Sequence, residues 1–386
     1  MQALSPKSRV ALVCRGGPEN GPFSATVARV IYETLGKYNI NLSAIYASSG
    51  STPTALLGCT GDFPTLCDTW ENLTPLEVVG KTSKPKTILR VISKESILTS
   101  YALGDLIRRK WNLSKIFSTK AIDIKFPAVD FLSTEYIIFW NKNPKHQKWF
   151  DKGVLGSMGL VPFLQPQIIY DPEESELIEA GKARIISNRE EGISKAILKG
   201  RAGPCKALLL IDGGYKGNML LEEAMRDYFD FIFLIDIHGL KPTETDIEMR
   251  YHWTNLVRGG LHILSNANDV RQYQITDRIN EEIRIKKEDE EILEELFEIT
   301  KRMPKECGQM IQPVIDRLSG NITRMNEGRL RLGDKNETRI CLVSNEKYST
   351  LFNFAKFDKK EVSELMNAGR EAAKITLAEL GFNDKD

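Results

Sequence analysis

The first sixty residues of the chain alternate short apolar runs with stretches of helical periodicity, and this constrains the fold more than any other feature. Residues 9–14 (RVALVC) and 42–47 (LSAIYA) are almost wholly apolar, which is typical of buried parallel strands. Residues 23–38 carry apolar side chains at helical spacing, and residues 52–59 read as a second helix. Because two parallel strands need a crossover connection, this alternation predicts a βαβ unit.

The rest of the chain is interpreted as insertions into the same domain. At about 150 residues per domain, 386 residues allow two or three domains, or one large α/β domain with insertions. We expect one domain over 1–386 with a three-layer α/β fold, in which helices flank a mainly parallel sheet. Residues 62–125 and the charged residues 171–203 are expected to be helical insertions, and residues 277–386 a C-terminal helical extension packing on the core. Further strands are predicted at 121–126, 136–140, 207–211, 231–235 and 338–343, with 207–235 forming another βαβ step.

Charge and composition exclude several classes of protein. The 53 Lys and Arg residues balance 52 Asp and Glu, whereas a nucleic-acid-binding protein usually shows a basic excess. No apolar run approaches the roughly 20 residues that span a bilayer, and the amino terminus does not read as a secretory signal. The cysteines form no CxxC pair and no two histidines have ligand spacing. We therefore expect a cytoplasmic protein with reduced thiols and neither metal nor cofactor.

A turn of small residues follows the second predicted strand. A nucleophilic serine needs a sharp turn with small residues two places before and after it. Ser49 has Ala47 and Ser51 at these places, with Gly50 directly after it. Ser48, the alternative nucleophile, has the bulkier Tyr46 before it. A helix N-cap built from serines explains the segment better when it is taken alone.

Two glycine pairs also follow predicted strands. Gly16 and Gly17 can expose backbone N–H groups, which suits an oxyanion or, in the rival interpretation, a phosphate. Neither GxxxxGK[ST] nor GxGxxG spacing is present, which disfavours nucleotide binding. Asp212 precedes Gly213 and Gly214, and an ordinary Asp-Gly turn is as good an explanation as a site.

Together these motifs resemble those of the patatin-like phospholipase family, whose members are serine acyl hydrolases with a Ser–Asp dyad. The likeness is carried by residues 12–21 (LVCRGGPENG), 43–61, 156–166, 212–224 and the tail at 352–372. It implies that Ser49 is the nucleophile, Asp212 its base, and Gly16 and Gly17 the oxyanion donors. The implied activity is lipid acyl hydrolysis, either of the phospholipase A type or as a lysophospholipase.

Departures from the family pattern keep other functions open. Ala47 and Ser51 stand where the family has glycines, and Glu19 and Asn20 lie near the usual place of a lysine or arginine. A catalytically weak or inactive lipid-binding or scaffolding protein is therefore the alternative. A Ser-His-Asp triad is the enzymatic rival, since His238, His252 and His262 follow Asp212, but we expect core or surface histidines.

A basic segment suggests where lipid would dock. Between Lys81 and Lys120 the sequence contains ten basic residues but only two acidic ones, Glu95 and Asp105, and apolar residues are interleaved with them. Such a pattern favours peripheral contact with anionic lipid. The alternative is the solvated charged face of a lid.

Overall fold

The computed structural model describes fourteen parts of the chain. They are residues 4–17, 19–74, 76–77, 101–131, 134–159, 164, 166–170, 184–186, 205–217, 219–237, 253–303, 305–327, 337–345 and 358–382.

One mixed sheet contains all nine strands found in the described residues. Five strands run parallel in the order β3-β2-β1-β8-β9, while β7 and β4 pair with β3 in the antiparallel sense and β5 and β6 pair with β7 in the same way. The strands are β1 (Val10–Cys14), β2 (Leu42–Ala47), β3 (Asp123–Asp130), β4 (Tyr136–Trp140), β5 (Gln167–Tyr170), β6 (Arg184–Ile186), β7 (Cys205–Asp212), β8 (Phe231–Ile235) and β9 (Arg339–Val343).

Helices cover both faces of the sheet. Val10, Leu12 and Cys14 of β1 belong to one apolar core with α1, α2, α3 and α10, whereas Ala11 and Val13 belong to a second core with α7 and α8. This alternation follows from the two-residue period of a strand. The helices are α1 (Asn20–Lys37), α2 (Thr52–Gly58), α3 (Phe63–Asn72), α4 (Tyr101–Lys110), α5 (Leu113–Ile116), α6 (Phe150–Ser157), α7 (Leu221–Arg226), α8 (Trp253–Arg302), α9 (Lys305–Glu327) and α10 (Lys359–Glu379).

The predicted α/β class is confirmed, with two corrections to the topology. Residues 207–235 do not form a βαβ step, because β7 is antiparallel to β3 and β8 pairs instead with β1. A strand that is apolar and followed by a helix looks the same in sequence whichever way it pairs. In the region 171–203, only Arg184–Ile186 lies within the described residues, and it is a strand rather than a helix. Its β-branched Ile185 and Ile186 favour a strand within a charged segment.

The two other predicted additions are part of the main fold. In residues 62–125 the described helices include α3, whose Phe63, Leu66 and Trp70 are buried in the core, and the region ends inside β3. In residues 277–386 the predicted strand is present as β9 at the edge of the sheet. The helix predicted from residue 277 begins at Trp253 and so precedes that extension. Among the described residues, no helix has the length and apolarity needed to cross a membrane.

Candidate active site

Two strands meet end to end on β3, and their meeting point is the candidate site. Lys125 of β3 pairs with Tyr46 of β2 and also with β4, so β2 and β4 lie on opposite edges of β3. Ala128 pairs with Asp212 of β7 and also with β4, so β7 shares the edge used by β2. Since β2 is parallel and β7 antiparallel to β3, their carboxyl ends face each other. This brings Ser49, two residues beyond β2, to Asp212.

The turn after β2 holds Ser49 in a strained conformation. Its φ is 49°, in the left-handed region that non-glycine residues rarely adopt. The Ser51 N–H donates to the Ser48 carbonyl at 3.0 Å, and a short 3₁₀ turn (Ser49–Ser51) leads into α2. Ala47 and Ser51 are both buried, which is why small residues are needed here.

Ser49 and Asp212 are directly hydrogen-bonded. The Ser49 hydroxyl donates from Oγ to Asp212 Oδ2 at 2.6 Å, and the Gly214 N–H donates to the other carboxylate oxygen at 2.8 Å. Asp212 is almost fully buried, and its own N–H donates to the Gly159 carbonyl. Burial raises the pKa of Asp212 to about 6, although the bonds from Ser49 and Gly214 oppose this rise.

The turn that carries Asp212 is packed against β3. A Cβ added at Gly213 would lie 2.5 Å from Pro127 Cγ, so only glycine permits this approach. Tyr136 donates from its hydroxyl to the Gly217 carbonyl at 2.9 Å. Burial and the nearby Asp269 and Asp212 raise the pKa of Tyr136, so the phenol remains protonated as a donor.

The loop after β1 offers two backbone donors. Gly16 is buried and Gly17 half-buried, and Gly17 has a φ of 119°, which favours glycine. In the part of the chain that the structure describes, neither of these two amides has a hydrogen-bond acceptor. Asn20 holds the loop by donating to the Gly16 carbonyl and accepting from the Ile237 N–H, both at 2.9 Å.

The side chain of Arg15 also anchors the loop of Gly16 and Gly17. Its guanidinium is buried and donates to Asp236 Oδ2 and Asp269 Oδ2, both at 2.8 Å. The two carboxylates outweigh burial and raise the pKa of Arg15. The Ser51 hydroxyl donates to the Arg15 carbonyl at 2.7 Å, which joins the loop to the turn of Ser49.

The alternative nucleophile Ser48 lies elsewhere. Its side chain is fully buried, and its Oγ has no hydrogen-bond partner among the described residues. It therefore makes no hydrogen bond to Asp212 and has no general base bonded to it.

None of the three histidines considered for a triad has a described side chain. His238 and His252 lie outside the described residues, as does the side chain of His262. His146 is buried and accepts the Trp140 N–H at Nδ1, at 2.9 Å, which is a structural role. Within the described ranges, no three His, Cys, Asp or Glu side chains are grouped so that they could hold a metal ion.

Half of the basic segment lies outside the described residues, and in the other half the apolar side chains face inward while the basic side chains are exposed. Residues 81–100 are not described. Leu106, Ile107 and Trp111, which the pattern predicted for a membrane contact, are buried, whereas Arg108 and Arg109 are exposed.

The sequence analysis did not predict the side chains that support the loop of Gly16 and Gly17. Arg15, Asp236 and Asp269 come from three separate segments, and a lone aspartate in a long helix gives no signal of its role. Asp236 directly follows the apolar strand β8, as Asp212 ends β7, and that parallel was the available hint. Comparison with known proteins adds no assignment, since no family model matches the chain and no curated protein matches it significantly.

Proposed function

We propose that the protein is a lipid acyl hydrolase, of the phospholipase A or lysophospholipase type, that works through a Ser49–Asp212 dyad. The observation that carries the proposal is the 2.6 Å hydrogen bond from Ser49 Oγ to Asp212 Oδ2, made by a serine held at positive φ. Nucleophile and base within hydrogen-bond reach are the signature of covalent catalysis. A raised Asp212 pKa makes this carboxylate a better base than a solvated one.

Acylation begins when Asp212 takes the Ser49 proton while Oγ attacks the ester carbonyl carbon. The carbonyl π pair moves to its oxygen, and the Gly16 and Gly17 amides donate hydrogen bonds to this oxyanion. The pair then returns, the bond from the carbonyl carbon to the alcohol oxygen breaks, and protonated Asp212 gives its proton to the leaving alcohol. An acyl-Ser49 ester remains.

Deacylation repeats these steps with water. Asp212 takes one water proton, the hydroxyl attacks the acyl carbon, and the same amides receive the oxyanion. Collapse breaks the bond to Ser49 Oγ, which regains its proton from Asp212, and the fatty acid leaves.

A non-catalytic lipid-binding protein is the second candidate, and Glu19 favours it. A Cβ built at Gly17 would lie 3.0 Å from Glu19 Oε1, so a buried carboxyl group lies against the donor loop. A negative charge at this place disfavours an oxyanion by like-charge repulsion.

The test is labelling with a fluorophosphonate, which phosphonylates only an activated serine. We expect the wild-type protein to gain one adduct, located at Ser49 by peptide mass spectrometry, and Ser49→Ala to gain none. Ser48→Ala is the matched control and should label normally. An unlabelled wild-type protein that binds lipid vesicles would support the non-catalytic candidate instead.

We also propose that the segment from Lys81 to Lys120 contacts anionic lipid through its basic side chains, of which Arg108, Arg109 and Lys110 are exposed. Replacing Arg108, Arg109 and Lys110 by glutamine removes three exposed charges, each worth about 1 kcal/mol near an anionic surface. We expect weaker co-sedimentation with phosphatidylserine vesicles, a loss that grows at low salt, and unchanged hydrolysis of a soluble ester. Equal binding by this variant would refute the contact.

A further inference from the structure

The second half of α8 carries an apolar stripe on its exposed face. Four of its apolar side chains are between 39% and 47% exposed, and they are Ile285, Ile292, Ile299 and Met303. The isoleucines recur every seven residues, and Met303 follows Ile299 by four, so all four lie on one face of the helix. The half-buried Leu296 falls on the same face. A seven-residue apolar repeat is the pattern by which one helix packs along another.

The opposite face of α8 is the one that packs on the protein. Ile279 and Ile283 are at most 4% exposed and belong to the apolar core that contains Ala11 and Val13 of β1. Since successive residues of a helix are about 100° apart, Ile283 lies about 200° around the helix from Ile285. The protein's own core therefore accounts for one face of α8 and leaves the isoleucine stripe exposed.

Carboxylates flank the middle of the isoleucine stripe. Glu288 and Glu295 each follow an isoleucine of the stripe by three residues and lie along one side of it, whereas Asp289 lies along the other side. Residues 288–298 (EDEEILEELFE) contain no basic residue. Their seven acidic residues are Glu288, Asp289, Glu290, Glu291, Glu294, Glu295 and Glu298.

Only part of this negative charge is neutralised by the helix itself. Glu290 pairs with Lys286 at 2.9 Å, and Glu298 pairs with Lys301 at 2.6 Å. Within the described residues, the other acidic residues of this stretch form no ion pair. The stripe is therefore an apolar surface with a strongly negative border.

We infer that the isoleucine stripe docks an amphipathic helix of a partner protein, one that carries lysine or arginine beside its own apolar residues. Apolar contacts along the stripe would supply affinity, as they do where an amphipathic helix binds a groove. Basic side chains of the partner would meet Glu288 and Glu295, and such flanking pairs set which partner is chosen and in which orientation. At 1.5 Å per residue, the surface from Ile285 to Met303 is about 27 Å long.

The same charges disfavour two other occupants. In a second copy of the chain, aligned stripes would bring the carboxylates of both helices together, which costs free energy. An anionic bilayer attracts basic segments and repels acidic ones. The inference is also separate from the hydrolase proposal, because Ile285 lies about 24 Å along the helix from Asp269, which supports the loop of Gly16 and Gly17.

The experiment measures binding of two synthetic helical peptides to the full-length protein by fluorescence anisotropy. Both peptides have leucine at the a and d positions of three heptads, and they differ only in carrying lysine or glutamate at the e and g positions. We expect the lysine peptide to bind at least about tenfold more tightly than the glutamate peptide, and its affinity to fall as salt is added.

Two variants and a matched control locate the binding on α8. Ile292→Gln should weaken binding of the lysine peptide by at least about tenfold, because it removes the apolar centre of the stripe. Ile375→Gln changes an isoleucine of α10 that is 58% exposed, and it should bind like wild type. The double variant Glu288→Lys, Glu295→Lys should reverse the preference and bind the glutamate peptide more tightly. Thermal unfolding confirms that the variants are folded.

Three results would overturn the inference. The first is that the wild-type protein binds neither peptide or binds both equally. The second is that Ile292→Gln and Ile375→Gln lose the same affinity. The third is a wild-type dimer in analytical ultracentrifugation that Ile292→Gln dissociates, since a second copy would then occupy the stripe. None of these measurements uses ester hydrolysis, so the hydrolase proposal can fail or hold independently.

Discussion

The turn of Ser49 and the loop of Gly16 and Gly17 supply the two halves of the proposed chemistry, but they are built in opposite ways. The serine turn is local, since its strain and the Ser51 N–H bond to Ser48 fall within four consecutive residues. The glycine loop is held from a distance, because Arg15 reaches Asp236 and Asp269, which lie 221 and 254 residues further along the chain.

This difference indicates which part of the site is more sensitive to substitutions elsewhere in the chain. A local turn forms whenever β2 and α2 form, so changes elsewhere in the chain should leave the nucleophile in place. The loop depends instead on a buried cation between two carboxylates. Burying these charges costs free energy, and removing one partner of a buried ion pair destabilises the fold further because it leaves a buried charge unpaired. We expect distant substitutions to damage the oxyanion donors before they damage the nucleophile.

The largest expected effect comes from Ser49→Ala, which tests the serine turn. We expect ester hydrolysis to fall by about 10⁴-fold or more, because no other hydroxyl of the described residues is bonded to the proposed base. The melting temperature should stay within a few degrees of wild type, as the hydroxyl supports no packing. Activity assays on a soluble ester and thermal unfolding give both values. If Ser48→Ala proved to be the inactive variant, the assignment would be wrong by one residue.

Asp212→Asn tests the base with almost no change of shape. The amide cannot take a proton, so turnover should fall by about 10⁴-fold, whereas His238→Ala, His252→Ala and His262→Ala should each retain activity. The sign of the stability effect also follows from the raised pKa of about 6. A carboxyl group with a raised folded-state pKa contributes stability below its unfolded pKa of about 3.9, and this contribution is lost as the pH rises through 6.

The Asn variant should therefore unfold at a higher denaturant concentration than wild type at pH 8, and at about the same concentration at pH 3.5. An active Asp212→Asn protein would mean that Asp212 is only a turn residue, and would favour the non-catalytic candidate.

Arg15→Met removes the long-range contacts that hold the loop of Gly16 and Gly17. Removing the cation from two buried carboxylates should cost about 3–5 kcal/mol in the free energy of unfolding. In the protein that remains folded, fluorophosphonate labelling of Ser49 should slow by about 10²-fold, since displaced donors stabilise the oxyanion poorly. Urea unfolding and labelling rates measure the two effects.

Arg29→Met is the control for Arg15→Met. Arg29 forms an exposed pair with Glu33, and such pairs contribute at most about 1 kcal/mol. Comparable losses of stability in the two variants would show that the buried triad has no special role.

The smallest expected effect is a difference in the pH dependence of kcat/KM between substitutions at the dyad and substitutions at the loop of Gly16 and Gly17. Because Asp212 must be ionised to accept the Ser49 proton, kcat/KM should be half-maximal near pH 6, level off above it, and fall about tenfold per pH unit well below it. Arg15 remains protonated throughout this range, so Arg15→Lys should lower the plateau without moving the midpoint. A midpoint near pH 4 would place a different, solvated group in control.

The sequence predicts the elements far better than their arrangement. The bounds of β2, β4 and β8 agree with the pattern of apolar residues to the residue, because these strands are continuous apolar runs between turn residues. The order of β7 in the sheet does not follow from such a run, since pairing direction is decided by partners that are far away in sequence. The turns that carry Ser49 and Asp212 are predictable because small residues and glycines mark tight turns, whereas no such residues mark Asp236 and Asp269.

The end-to-end meeting of β2 and β7 makes the spacing of the dyad a property of one strand's hydrogen-bond register. A slip of β7 by one residue along β3 would shift Asp212 by about 3.3 Å and turn its side chain to the other face of the sheet. Conversely, the number of residues between the two strands does not set that spacing, provided that α6 and the Gly159 carbonyl that accepts the Asp212 N–H are kept. Two chains that differ in loop length but share this register should therefore share the same distance between the serine and the aspartate.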